Sequence, residues 1–233
     1  PSPPRLLYTI PTFQNPTGRT QPLERRIEIA ELCASRGIIV IEDDPYGQLD
    51  YAAREHWPLV SMTPGNVVYL GSFSKILSPG IRLGYAIAPQ PVIRKLELAK
   101  QASDLLTSNL TQRVVLEILQ SGFMPGHLAH CRRLYGENAR AMNAAMSRHL
   151  AGLARWTEPE GGMFQWVDLD ERLDATALLE EALAAGVAYV PGAPFFAVRR
   201  RENTMRLCFS TNGPAQIEQG MAVLRGVLQK HLE

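Results

Sequence analysis

Cysteine, net charge and long apolar stretches are all scarce in this chain, and each scarcity sets a class of protein aside. The three cysteines, Cys33, Cys131 and Cys208, lie far apart in 233 residues and show no metal-ligand spacing. Such a sparse, odd count fits reduced thiols in the cytoplasm better than a disulfide framework, and no metal is expected. Lysine and arginine number 24 against 23 aspartates and glutamates, a formal net charge of +1. That balance points neither to nucleic acid nor to an anionic membrane. No apolar run approaches membrane-spanning length, and none reads as a secretory leader. An initiator methionine is lacking too. Pro1-Ser2-Pro3-Pro4-Arg5 leads straight into apolar residues, so the chain reads as cut from something longer. What remains is ordinary globular usage, 45% hydrophobic and 20% charged, with length for one large domain or two smaller ones.

The first hundred residues alternate strand, loop and helix. Leu6 to Ile10 reads as a strand. A helix follows, with Thr20 as candidate N-cap, Pro22 in its first turn, Leu23, Ile27, Ala30 and Ala34 on one face, and Gly37 as terminator. Ile38–Ile41 and Val67–Leu70 are short apolar runs, as expected of strands covered on both faces. Leu83–Ala88 is a further strand. This alternation predicts an α/β fold with a mainly parallel sheet. Beyond Pro91 the pattern turns helical: Val92 to about Lys100, then Leu110–Leu119. Ser121-Gly122 and Pro125-Gly126 interrupt it, and a long helix runs from about Leu128 to Leu150. The rest reads as a smaller α+β unit, with strands at Phe164–Leu169 and Met205–Phe209 and helices at Ala175–Ala185 and Ala215–His231.

Chemistry concentrates at Ser72-Phe73-Ser74-Lys75, just past the Val67–Leu70 strand, with Arg82 further on. An amine there can form a Schiff base, while two hydroxyls and a guanidinium hold a phosphate. Pyridoxal 5′-phosphate needs that donor set, although a lysine after a strand is equally a solvated loop residue. Two more loops follow predicted parallel strands: Asn15-Pro16-Thr17-Gly18 and Glu42-Asp43-Asp44-Pro45-Tyr46-Gly47. Open α/β sheets bind ligands at the carboxyl ends of their strands, so Asn15, Asp43 and Lys75 are expected to converge. Asp43, buried behind its strand, would pair with a protonated pyridine nitrogen. Tyr46 and Asn15 would donate to the ring's phenolic oxygen. Read singly, Asp43 is also a helix cap or loop acid, and the Asn-Pro-Thr-Gly run a turn.

Taken together, FQNPTG (Phe13–Gly18), EDDPYG (Glu42–Gly47) and GSFSKILSPGIRLGY (Gly71–Tyr85) resemble the signature loops of fold-type I pyridoxal-phosphate aminotransferases. The similarity is greatest to the aminoadipate, kynurenine and aromatic subgroup. It runs from about Tyr8 to the last helix and includes GGMFQWVDL (Gly161–Leu169) and MRLCFS (Met205–Ser210). The resemblance implies Lys75 as Schiff-base lysine and proton shuttle, Ser72, Ser74 and Arg82 as phosphate ligands, and Asp43 as pyridinium partner. It implies Asn15 and Tyr46 at the phenolic oxygen and Arg206 on the substrate carboxylate. Strand alternation alone would leave Arg206 a solvated residue facing away from Met205, Leu207 and Phe209.

The implied fold is a partial large cofactor-binding domain over residues 1–128 and a linking helix with a small C-terminal domain over residues 129–233. The implied activity is transamination between an amino acid and a 2-keto acid, 2-oxoglutarate being the expected acceptor. Family chains are longer. Ahead of this region they carry further strands, a glycine-containing phosphate loop and an aromatic that stacks on the ring. The natural protein is therefore expected to be longer, cytoplasmic and homodimeric, and the 233-residue piece inactive by itself. Two other readings share the motifs: the cofactor-binding sensor domain of a bacterial transcription regulator, and a pyridoxal-phosphate lyase or decarboxylase.

Overall fold

In a computed structural model, which describes residues 3–232, three apolar runs pair in parallel. They are β1 (Leu6–Thr9), β2 (Ile39–Asp44) and β3 (Val67–Ser72). The crossover from β1 to β2 is α1 (Leu23–Ser35). A fourth strand, β4 (Gly84–Ile87), closes the order β1-β2-β3-β4 and runs antiparallel to β3. The sheet is thus mainly parallel. By contacts the chain divides into two units. One comprises Arg19–Cys131 with the chain up to Thr12, and the other comprises Phe13–Gly18 with the chain from Arg132 onward.

In the first unit the face under α1 is the core. Val40 and Val67 are fully buried there with Ala30, Cys33 and Leu59, and Leu7 packs against them. Each fully buried valine or leucine there contributes roughly 1.5–3 kcal/mol. Alternation puts Leu6, Tyr8 and Ile39 on the other face, where all three are exposed. The helix begins later than Thr20 suggests. Its first backbone bond, from the Arg26 N–H, is accepted by Pro22, which stands at the N-cap. Gly37 ends it as expected. At φ 64° it adopts the left-handed conformation that lets its own N–H reach Ala34 and that of Ile38 reach Cys33. The remaining helices of the unit are α2 (Gln90–Ser103) and α3 (Asn109–Gln120).

One expectation fails at Pro125-Gly126, which interrupt nothing. The long helix α4 spans Phe123–His149. Pro125 lies in its first turn, where the amide hydrogen it lacks would have had no partner in the helix. The second unit has its own sheet, β5-β6-β8-β7, antiparallel throughout. The strands are β5 (Ala154–Trp156), β6 (Phe164–Leu169), β7 (Val190–Pro191) and β8 (Thr204–Cys208). β5 and β7 are too short to register in the sequence. The helix expected over Ala175–Ala185 shortens to α5 (Leu179–Ala184), because the Asp174 carboxylate takes the N–H groups of Thr176 and Ala177 into a turn. α6 (Pro214–Lys230) closes the chain and buries Ile217, Met221, Leu224, Val227 and Leu228. No helix among the described residues is long and apolar enough to cross a membrane.

Past β2 the chain is pinned by Asp50, whose side chain is fully buried. Its carboxylate accepts from Ala52 N at 2.8 Å and Arg54 Nε at 3.0 Å, with His56 Nε2 at 2.9 Å. Burial pushes this carboxyl up. The bonds from His56, from the backbone of Arg54 and Ala52 and from the Arg54 side chain outweigh it, and the carboxyl ends below its ordinary value. A carboxyl depressed on folding stabilises above its unfolded value, and that contribution is lost as pH falls through the folded value. Urea unfolding of wild type and Asp50→Asn should therefore differ most near neutrality, with the difference shrinking below about pH 4. A difference independent of pH would contradict the assignment.

Candidate functional site

The carboxyl ends of β2 and β3 deliver six of the eight candidate residues. β3 runs out at Ser72, and Phe73 opens a turn in which Leu77 N and Ser78 N both donate to its carbonyl, at 2.9 and 3.1 Å. Lys75 sits in that turn, half-buried. Its amine has no hydrogen-bond or ion-pair partner among the described residues. Ser72 Oγ accepts from Ser74 N at 3.1 Å, which leaves the Ser72 hydroxyl hydrogen available for donation. Arg82 follows a short 3-10 turn (Pro79–Ile81) with a left-handed φ of 54°. A non-glycine residue held there stores about 1–2 kcal/mol, a feature that gathers at functional sites. Its guanidinium makes one long bond, 3.4 Å from Nη1 to the Pro79 carbonyl.

β2 extends through the acidic run, so Glu42, Asp43 and Asp44 are strand residues on alternating faces. The fully buried acid is Glu42, not Asp43. Glu42 accepts from Leu59 N at 2.9 Å and Val60 N at 3.1 Å. Burial raises its pKa, against those bonds and the nearby Arg26. Asp43, expected to lie buried behind its strand, is half-buried on the opposite face beside its ladder partner Leu70. Its Oδ2 accepts from the Tyr8 phenol at 2.6 Å. Asp44 is committed elsewhere. Its Oδ1 accepts from Gly47 N at 2.8 Å, and its Oδ2 from Tyr69 Oη at 3.0 Å. The first bond closes the turn that sets Tyr46, 4% exposed, behind Pro45.

The other two candidates belong to the second contact unit. Arg206 in β8 alternates with fully buried Met205 and nearly buried Leu207, yet it is not a solvated residue. Its Nη1 donates to Asn15 Oδ1 at 2.7 Å. Its guanidinium carbon lies 4.1 Å from the Phe164 ring centroid, a cation–π contact. Its Nε is buried without a partner. Asn15 reaches it because the Phe13–Gly18 segment is seated on this unit. Phe13, 2% exposed, lies on Gly161, where an added Cβ would collide with the ring. Gly18 N closes the segment onto Gln14 O at 2.6 Å.

The structure thus forms two groups: Lys75, Ser72, Ser74, Arg82, Asp43 and Tyr46 in one unit, Asn15 and Arg206 in the other. Sequence reasoning missed Tyr8 and Phe164. The signal for Tyr8 was strand periodicity, a phenol on the face of β1 that continues into Asp43. Phe164 gave no signal beyond its place in an apolar strand.

The pattern of the family described as aminotransferase class I and II matches residues 7–224. A 2-aminoadipate transaminase of Thermus thermophilus is 43% identical over 97% of this chain and 58% of its own. An uncharacterized HTH-type transcriptional regulator of Bacillus subtilis, YisV, is 36% identical over 93% of this chain and 45% of its own. The crystal structure of LysN, an alpha-aminoadipate aminotransferase of Thermus thermophilus complexed with N-(5′-phosphopyridoxyl)-L-leucine, superposes with a TM-score of 0.93. It is 42% identical, covering 98% of this chain and 60% of that one. The chain therefore spans about half the length of the curated relatives it matches.

The seating of Phe13 on Gly161 can be checked directly. Gly161→Ala should cost about 1–3 kcal/mol in denaturant unfolding, the usual penalty of overpacking. Combining it with Phe13→Leu should recover part of that loss, giving a non-zero coupling in a double-mutant cycle. Strict additivity would show that the two residues do not pack on each other.

Proposed function

The chain belongs to the aminotransferase class I and II family, and from that premise we propose that the full-length protein moves the amino group of an amino acid to a 2-keto acid with pyridoxal 5′-phosphate as cofactor. The observation carrying this reading is Lys75, an amine just past a strand end with no partner among the described residues, flanked in sequence by Ser72 and Ser74 and followed by Arg82.

The side chains fit the cofactor by their chemistry. Ser72, Ser74 and Arg82 offer hydroxyl and guanidinium donors to a phosphate dianion. Asp43 keeps one carboxylate oxygen without a donor among the described residues, which suits a cationic ring N–H. Tyr46 and the Asn15 amide are donors for a phenolic oxygen. When bound, the cofactor supplies a carbonyl that amines attack and a ring that draws electrons from the adjoining carbon. Lys75 Nζ would serve as the nucleophile that holds the cofactor and as the base that receives the proton leaving the substrate Cα. Arg206 pairs with the substrate carboxylate through its planar fork, for which its buried, partnerless Nε is a ready donor.

Acceptor choice falls to a 2-keto acid such as 2-oxoglutarate. The regulator-like relative keeps a sensor reading in view, since a sensor would use the same cofactor contacts. Turnover of amino group separates the two, and release of ammonia or carbon dioxide would mark a lyase or decarboxylase. We read the full-length protein as a cytoplasmic homodimer. In support, Cys33, Cys131 and Cys208 are free thiols, and Leu96, Leu98, Leu110 and Leu119 stand exposed along α2 and α3.

Two measurements on the full-length protein test the reading. After loading with pyridoxal phosphate, borohydride should fix the cofactor to Lys75, and peptide mass mapping should find it there. A reduced adduct on another lysine would remove the assignment. Arg206→Lys keeps the charge and loses the fork. The amino-acid KM should rise roughly ten- to a hundredfold, as for a lost charge-assisted hydrogen bond, and an unchanged KM would leave Arg206 outside substrate binding.

A further inference from the structure

Neighbouring carboxylates on β2 differ in how many of their oxygens the protein uses. Asp44 has both engaged, by Gly47 N and Tyr69 Oη. Asp43 has one, Oδ2, held by Tyr8 Oη at 2.6 Å, while Oδ1 has no partner among the described residues. Parallel register makes the Tyr8 contact. Tyr8 stands opposite Ile41, and Asp43 is the next residue of β2 on that face.

We propose that Tyr8 is a positioning residue for Asp43: by holding Oδ2 it fixes the carboxylate and leaves Oδ1 as the acceptor for the ring N–H of the cofactor. The inference rests on the reading that the protein binds pyridoxal phosphate. An aspartate at a strand end otherwise turns freely, because its terminal torsion is broad and nearly two-fold. A phenol-to-carboxylate bond of 2.6 Å falls in the short, strong range of O–H···O⁻ bonds and removes that freedom. The titratable groups around the phenol are Asp43 and Tyr46. Burial, then the bond to Asp43 and its charge, then Tyr46, push Tyr8 up to about 12. The phenol therefore remains a donor across any working pH. Tyr8 is 54% exposed, so a phenylalanine there deletes a donor with little change in packing. Asp44 cannot take over, since it faces the other side of the sheet with both oxygens occupied.

The test uses full-length protein loaded with pyridoxal phosphate carrying ¹⁵N in its ring, and reads two quantities: cofactor affinity and the pH at which the ring nitrogen loses its proton. Tyr8→Phe should weaken binding about tenfold and lower that pH by about one unit, the equivalent of one lost ionic hydrogen bond. O-methyltyrosine at position 8 keeps the ring and oxygen but donates nothing, and it should match Tyr8→Phe. It also serves if the phenylalanine variant folds poorly. An unchanged pH midpoint, with or without weaker binding, would make Tyr8 merely structural and overturn the proposal. A raised midpoint would overturn it too, since Tyr8 would then be competing with the ring for Asp43. Asp43→Asn separates this from the parent reading. It should leave the ring nitrogen unprotonated throughout, and a ring that stays protonated in that variant would show that Asp43 is not its partner at all.

Discussion

Parallel strands that neighbour one another end on the same side of a sheet, and here that rule brings chemistry-bearing residues together from distant parts of the chain. The ladder pairs Tyr8 with Ile41 and Thr9 with Glu42, then Glu42 with Tyr69 and Asp43 with Leu70. Each pair places one strand's exit beside the next. Asp43 and the turn that carries Lys75 leave the sheet on the same side because β2 and β3 run parallel with Asp43 opposite Leu70, not because any motif specifies it. The core under α1, with Val40 and Val67 fully buried, holds that register, so the site depends on packing one layer below it.

Much of this was readable beforehand, for a physical reason. Short apolar runs between loops rich in proline, glycine and acids report strands and their ends, and strand ends in a parallel sheet report a site. That logic groups Asn15, Asp43 and Lys75; Asp43 and Lys75 do follow neighbouring parallel strands, while Asn15 belongs to the other contact unit. The same logic erred where local signals were outvoted. Pro125 reads as a breaker, yet in a first turn it costs nothing. Thr20 reads as a cap, yet the first helical bond goes to Pro22. Asp43 reads as an acid buried behind its strand, whereas it is Glu42 that has two backbone donors waiting at Leu59 and Val60.

What stayed illegible were the interactions that depend on side-chain reach across the sheets. Nothing in the Phe164–Leu169 segment announces that its first residue lies under Arg206. Nothing in Leu6–Thr9 announces a donor for Asp43 until the register with β2 is known. Arg206 shows the opposite case. Alternation with Met205 and Leu207 correctly turned it away from the core, but could not distinguish water from Asn15 as its neighbour.

Adjacent acids on opposite faces of one strand have a consequence for folding fidelity. Sliding β2 by a single residue would exchange the roles of Asp43 and Asp44, along with every other side chain on the two faces. Glu42 would leave the Leu59 and Val60 amides, Val40 would turn to solvent, and Tyr8 would face a different acid in place of Asp43 in the same movement. A misregistered sheet would therefore carry a misplaced acid and be thermodynamically poor at once. Selection for a sound core and selection for a competent site are here one pressure, exerted on the same few backbone hydrogen bonds.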